Sequence, residues 1–191
     1  MLVSAGVFLA LALAVLLLEP FPGDAAARLW VLGYESPALV QVMRVINYLG
    51  NWRVLFPATV LLVFAFPKAR ARWWIWVGLM LAAPSAEGLL KILIARARPE
   101  EVSVGFPSGH ATAAAAFFGA LIYLAAAVPP RARVAVRAAC VLLIVLVCVA
   151  RIILRAHWPV DTLAGAALGL ALASLASLLA DRRERAGVTP T

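Results

Sequence analysis

Reactive and charged residues are scarce in this chain. Of its 191 residues only 14% are charged, two are histidine and two are cysteine, while 65% are hydrophobic. So little charge excludes an ordinary soluble domain. Several apolar runs approach the roughly 20 residues a spanning helix needs, which makes the chain an integral membrane protein. Cys140 and Cys148 lie eight apart in one predicted helix, too distant along its axis to bond each other. They read as small core or lipid-facing residues and say nothing about redox compartment. Repeats, low-complexity tracts and linkers are also missing, so the length fits one domain, 1–191. The net charge of +8 does not imply nucleic acid, because Lys and Arg sit in short clusters between apolar runs, where topology or anionic lipid accounts for them.

What is present is a series of apolar spans. Six are predicted, at 2–18, 53–66, 73–94, 109–128, 134–154 and 159–180, giving an all-α polytopic bundle. The first lacks a basic n-region and exceeds a typical signal h-region; "DAAA" at 24–27 loosely resembles a cleavage site, but a retained first helix is favoured. "PKARAR" (67–72), "PPRARVAVR" (129–137) and "DRRER" (181–185) carry three basic residues each. The positive-inside rule puts all three, and both termini, in the cytoplasm of a multi-pass cell (inner) membrane protein. The connections 19–52, 95–108 and 155–158 are then outside, yet Arg28, Arg44, Arg53, Arg96, Arg98, Arg151 and Arg155 fall there or nearby. The rule holds only if some of these have another task, a first hint of an anion site.

The long outer connection carries its own helix signal: Ser36 as N-cap, Pro37 at the first helical position and Gly50 just past the end. Leu39, Val42, Met43, Ile46 and Leu49 recur at helical spacing, with Gln41, Arg44 and Tyr48 on another side, so a helix is expected at the outer interface. Trp52 and Trp158 at outer span ends, and Trp73, Trp74 and Trp76 at an inner one, read as interfacial anchors.

Three groups of residues carry chemistry. Glu87 and Lys91 are four apart in the third span, and pairing on one helix face is a sufficient account of Glu87. Lys91 has a second reading, because Arg98-Pro99 follows seven residues later and two cations where a helix stops can grip an anion. Pro107-Ser108-Gly109-His110 opens the fourth span. Ser108 is the expected N-cap, Gly109 permits close approach to the backbone, and the unpaired N–H groups of the first turn favour an anion. Finally, Arg151 lies near the end of the fifth span, with His157 just before the sixth and Asp161 one turn beyond it. A carboxylate there can hydrogen-bond one ring nitrogen and leave the other exposed as a nucleophile. All three groups map to one membrane face and use both histidines.

Lys91-x6-Arg98-Pro99, Pro107-Ser108-Gly109-His110 and Arg151-x5-His157-x3-Asp161, in this order, resemble the three signature motifs of the type 2 phosphatidic acid phosphatase superfamily, which includes membrane lipid phosphate phosphatases and the soluble vanadium haloperoxidases. The six-span pattern resembles the membrane branch over almost the whole chain. One departure is Ala150, where the family often has Ser, which puts a supporting hydrogen bond in doubt.

The resemblance implies that His157 attacks phosphorus, that Asp161 holds its imidazole, and that His110 protonates the leaving oxygen. It further implies that Lys91, Arg98, Arg151 and the backbone near Ser108 and Gly109 neutralise the phosphoryl oxygens. No metal or other cofactor is required, and no carboxylate cluster suited to magnesium lies beside the motifs. The implied partners are the bilayer and a lipid carrying a phosphate or diphosphate: an isoprenyl diphosphate such as undecaprenyl diphosphate, phosphatidylglycerol phosphate or phosphatidic acid. Glu100 and Glu101 read as solvated loop charges. A phosphotransferase using the same site stays open. A transporter fits less well, because the ionisable residues gather at one face, and a haloperoxidase fails because its soluble members lack continuous spans.

Overall fold

The computed structural model describes residues 1–100 and 102–186, with the side chains of 183–186 left out. Glu101 therefore lies outside the described residues, as do the side chains of Arg183 and Arg185 in the basic tail. Among the described residues the regular structure is helical, with one isolated antiparallel bridge, Ala97 to Val104.

Helix α1 (Leu2–Leu17) is followed by α2 (Asp24–Leu32), α3 (Pro37–Asn47), α4 (Trp52–Ala65), the single turn α5 (Pro67–Arg70), α6 (Trp73–Ile94), α7 (Gly109–Leu124), α8 (Pro130–Ile153) and α9 (Pro159–Ala186). The last four begin at or near the predicted residues, and with its 3-10 extension to Ala127 α7 joins α6, α8 and α9 as helices long and apolar enough to cross a membrane. A fifth such unit is the pair 37–50 and 52–65, bent by 54°. At 16 residues α1 is apolar but shorter. Length and composition thus give four or five candidate spans where six were expected.

Helix α7 is the centre. Its Ala113–Ala116 run has no bulky side chain and is buried throughout, so α6, α8 and α9 approach it from different sides. Contact with α9 is tightest: a Cβ added to Gly165 would lie 2.5 Å from the Ser108 carbonyl oxygen, and one added to Gly169 would lie 2.3 Å from that of Thr112. Small residues four apart let the two backbones touch, the usual way membrane helices gain packing without a hydrophobic drive. On its other side α9 meets α1, where Phe8, Ala12 and Val15 pack with Val160, Ala164 and Leu168.

Ser36 caps α3 as expected, its Oγ accepting from Leu39 N at 3.2 Å. The far end differs: the chain tightens into a 3-10 turn over Tyr48–Gly50, so Gly50 lies within the turn, buried, and not past a helix end. Met43 packs on Ala150 and Ile153 of α8. Ala150 is fully buried in this apolar contact, where a serine hydroxyl would need a partner. Val42, one of the apolar residues at helical spacing, is exposed, while Val40 packs with Met43, Ala150 and Ile153. Trp73 and Trp74 are exposed as anchors should be, but Trp76 is 1% exposed and packs against Tyr123 inside the bundle.

Candidate active site

Four helix ends meet at one end of the bundle: the C-termini of α6 and α8 and the N-termini of α7 and α9. They surround, with the α3–α4 junction, a cavity of about 210 Å³. Lys91, Arg98, Gly109, His110, Arg151 and His157 all line it, six of the eight residues singled out from the sequence. Asp161 and Ser108 stand behind this wall, both fully buried. Gly50, Trp52, Pro84, Glu87 and Ala113 complete the lining and were not foreseen as site residues.

The connection between α8 and α9 brings His157 next to Asp161. His157 Nδ1 lies 3.5 Å from Asp161 Oδ2, an ion-pair distance at which no hydrogen bond is closed, so the orienting bond expected from the spacing is present as proximity only. Asp161 Oδ2 accepts from Trp158 N at 3.1 Å and Oδ1 from Arg96 Nη1 at 2.6 Å. The imidazole is buried, and that burial lowers its pKa below the ordinary histidine value; Arg151 and Arg98 act in the same direction and Asp161 opposes them. A neutral ring with Nδ1 toward the carboxylate leaves Nε2 as the free nucleophilic atom.

Arg96 is the residue that sequence reasoning passed over. It is 5% exposed and holds three carboxylates: Glu19 through Nε at 2.8 Å, Asp24 through Nη2 at 2.8 Å and Asp161 through Nη1. Asp24, met in the sequence as part of "DAAA", is buried and opens α2, and its second oxygen accepts from Val160 N at 2.9 Å. Burial pushes the Asp24 carboxyl above its ordinary value, against the pull of Val160 N–H and Arg96.

Ser108 occupies the N-cap position of α7, but its Oγ makes no capping bond and has no hydrogen-bond partner. Its N–H donates to the Asp161 carbonyl oxygen at 2.9 Å, so that N–H is not free for an anion. The helical ladder starts with Thr112 N on Ser108 O at 2.9 Å, which leaves Gly109, His110 and Ala111 as the first-turn donors without an intrahelical acceptor. Glu87 pairs with Lys91, as the spacing predicts, and its carboxylate lies against Gly109: a Cβ there would be 2.8 Å from Oε1. At Gly50 a Cβ would meet the His110 carbonyl oxygen at 2.8 Å, so glycine lets the 3-10 turn sit on the start of α7. Arg151 Nη1 donates to Asn47 Oδ1 at 2.8 Å, tying the α8 cation to the end of α3.

Glu100 is not a free loop charge. It pairs with Arg28 and, at 3.2 Å, with Arg155, which also holds Glu35 at 2.8 Å. Trp158 likewise does more than anchor, since the guanidinium groups of Arg28 and Arg96 each lie 5.6 Å from its ring.

Three cations, a helix N-terminus and two imidazoles around one small cavity suit a tetrahedral oxyanion. Among the described residues, no three His, Cys, Asp or Glu side chains gather as metal ligands would.

Known proteins supply a comparison. The family model described as the PAP2 superfamily matches residues 72–185, more than half the chain. The chain is 26% identical over 172 residues to decaprenylphosphoryl-5-phosphoribose phosphatase of Mycobacterium tuberculosis (strain ATCC 25618 / H37Rv), covering 80% of this chain and 86% of that protein. Its structure is similar to the first transmembrane PAP2 type phosphatidylglycerolphosphate phosphatase from Bacillus subtilis, with a TM-score of 0.84 and 26% identity over 95% of this chain and 98% of that one. LpxE of Aquifex aeolicus shares the fold, with a TM-score of 0.61 and 21% identity over 86% of this chain and 98% of its own.

Proposed function

Because the chain belongs to the PAP2 superfamily, it is a phosphatase, and we propose that it hydrolyses a phosphate monoester or diphosphate of a membrane lipid through a phosphohistidine on His157. The observation that carries this reading is the convergence of Lys91, Arg98, Arg151 and both histidines on one cavity, with Asp161 behind His157.

Nε2 of His157 attacks phosphorus in line and forms a P–N bond as the P–O bond to the lipid breaks. His110 gives its proton to the departing oxygen. Water then attacks the phosphohistidine, His110 takes a proton from it, and inorganic phosphate leaves with the imidazole restored. Lys91, Arg98, Arg151 and the first-turn N–H groups of α7 neutralise the equatorial oxygens in both steps. Phosphoryl transfer depends mostly on such positioning and charge, so the reaction needs no metal.

A relative named for a decaprenylphosphoryl sugar phosphate and another for phosphatidylglycerolphosphate both support a lipid-anchored substrate. Undecaprenyl diphosphate, phosphatidylglycerol phosphate and phosphatidic acid are the candidates to test first. The proposed topology counts α1 and the bent α3–α4 unit with α6 to α9 as six spans, α3 lying at the interface, with both termini cytoplasmic and the site extracytoplasmic. Replacing His157 by alanine should abolish phosphate release from whichever lipid is cleaved; release at the wild-type rate would refute the mechanism. Mass spectrometry of the lipid products separates hydrolysis from transfer to a second lipid.

A further inference from the structure

From its contacts we infer that Arg96 is a positioning residue for the reaction: it locks the Asp161 carboxylate in the orientation that keeps His157 aimed into the cavity. The inference rests on the phosphohistidine reading above.

Arg96 does not line the cavity and touches neither histidine in any contact found among the described residues. Its Nη1 takes one Asp161 oxygen, leaving the other to Trp158 N and His157 Nδ1. A carboxylate held at both oxygens cannot rotate. His157 Nδ1 closes no hydrogen bond, so the ring's register depends on where that second oxygen is fixed. Arg96 in turn is held at Nε by Glu19, before α2, and at Nη2 by Asp24, which also caps α9 at Val160 N. All three edges of the guanidinium are used, a planar fork that lysine cannot reproduce. The 19–24 segment thereby bears on the nucleophile without touching the substrate.

A role exerted through Asp161 has a signature that plain structural support lacks. Arg96→Lys should lower kcat by about 10-fold to 100-fold, the scale that a misplacement within an ångström produces, while KM stays within about twofold because the cavity cations are untouched. In an Asp161→Asn background, where the anionic acceptor is gone, adding Arg96→Lys should change kcat by less than about twofold. If Arg96→Lys does not stay folded, Arg96→Gln/Asp24→Asn removes one buried charge of each sign and carries the same cycle. Arg70→Lys, whose guanidinium donates to Phe64 O outside this network, serves as the control and should retain near wild-type kcat. Independent, multiplicative losses in the double mutant, or a rise in KM with kcat unchanged, would overturn the positioning role. A wild-type protein that releases phosphate from no lipid phosphate overturns the functional reading and the positioning role with it, whereas multiplicative losses on an active enzyme overturn the positioning role alone, so the two failures are distinguishable.

Discussion

At the scale of single residues, the account turns on the protonation of His157. Burial lowers its pKa, so the folded-state value lies below the ordinary histidine value of about 6.5 and the neutral nucleophile predominates at neutral pH. Activity should therefore hold as pH falls to about 6.5 and drop only below it, as the ring protonates and Nε2 loses its lone pair. A kcat/KM profile whose acid limb lies above pH 7 would contradict that environment. The residues that gather at the cavity were legible in the sequence because motif spacing groups them: Lys91 to Arg98, Ser108 to His110 and Arg151 to Asp161 each span few positions. Arg96 was not, because its carboxylates come from positions 77, 72 and 65 residues away and the sequence offers several other arginines on the same side. Ser108 illustrates the opposite error, a cap-forming residue whose hydroxyl does not cap because the bundle buries it.

At the scale of elements, the contact between α7 and α9 fixes the site, since their N-termini carry His110 and Asp161. Gly169 tolerates no Cβ: the Thr112 carbonyl, a backbone atom, lies 2.3 Å from where one would be. Gly169→Val should destabilise the protein by about 1–3 kcal/mol or more, as overpacking does, and lower activity with it. Gly6→Ala, where nothing lies within 4 Å, should leave both unchanged. Thermal melts in detergent alongside phosphate release check the pair. Helical periodicity found the long elements, α6 to residue precision. It missed α2, whose nine residues lie between Gly23 and Gly33, and it could not say that Trp76 faces inward, because which side of an apolar helix is covered is decided by its neighbours.

At the scale of the whole molecule, composition alone made this a membrane protein, and charge asymmetry gave it a proposed orientation. The basic residues of the opposite end have local partners too: Arg70 donates to Phe64 O at 2.9 Å and Arg133 to Ala126 O at 3.0 Å, satisfying carbonyls at helix ends. If orientation follows the positive-inside rule, Val102→Cys, at a fully exposed position of the 95–108 connection, should label with an impermeant maleimide in intact cells, and Arg131→Cys only after permeabilisation. The two native cysteines are free and buried, which suits them to a silent background; the reverse labelling pattern would invert the topology. Substrate identity was the least legible property, because on the proposed mechanism the cavity of about 210 Å³ would receive only the phosphoryl group and the lipid would be read outside it. The most direct test of the central claim is phosphate release by purified wild-type and His157→Ala protein, in the presence of chelator, from undecaprenyl diphosphate, phosphatidylglycerol phosphate and phosphatidic acid. The account predicts release from at least one lipid by the wild type, inhibition by vanadate, and loss of about 10³-fold or more in the variant. Equal rates from the two proteins, or activity that chelation removes and magnesium restores, would contradict it.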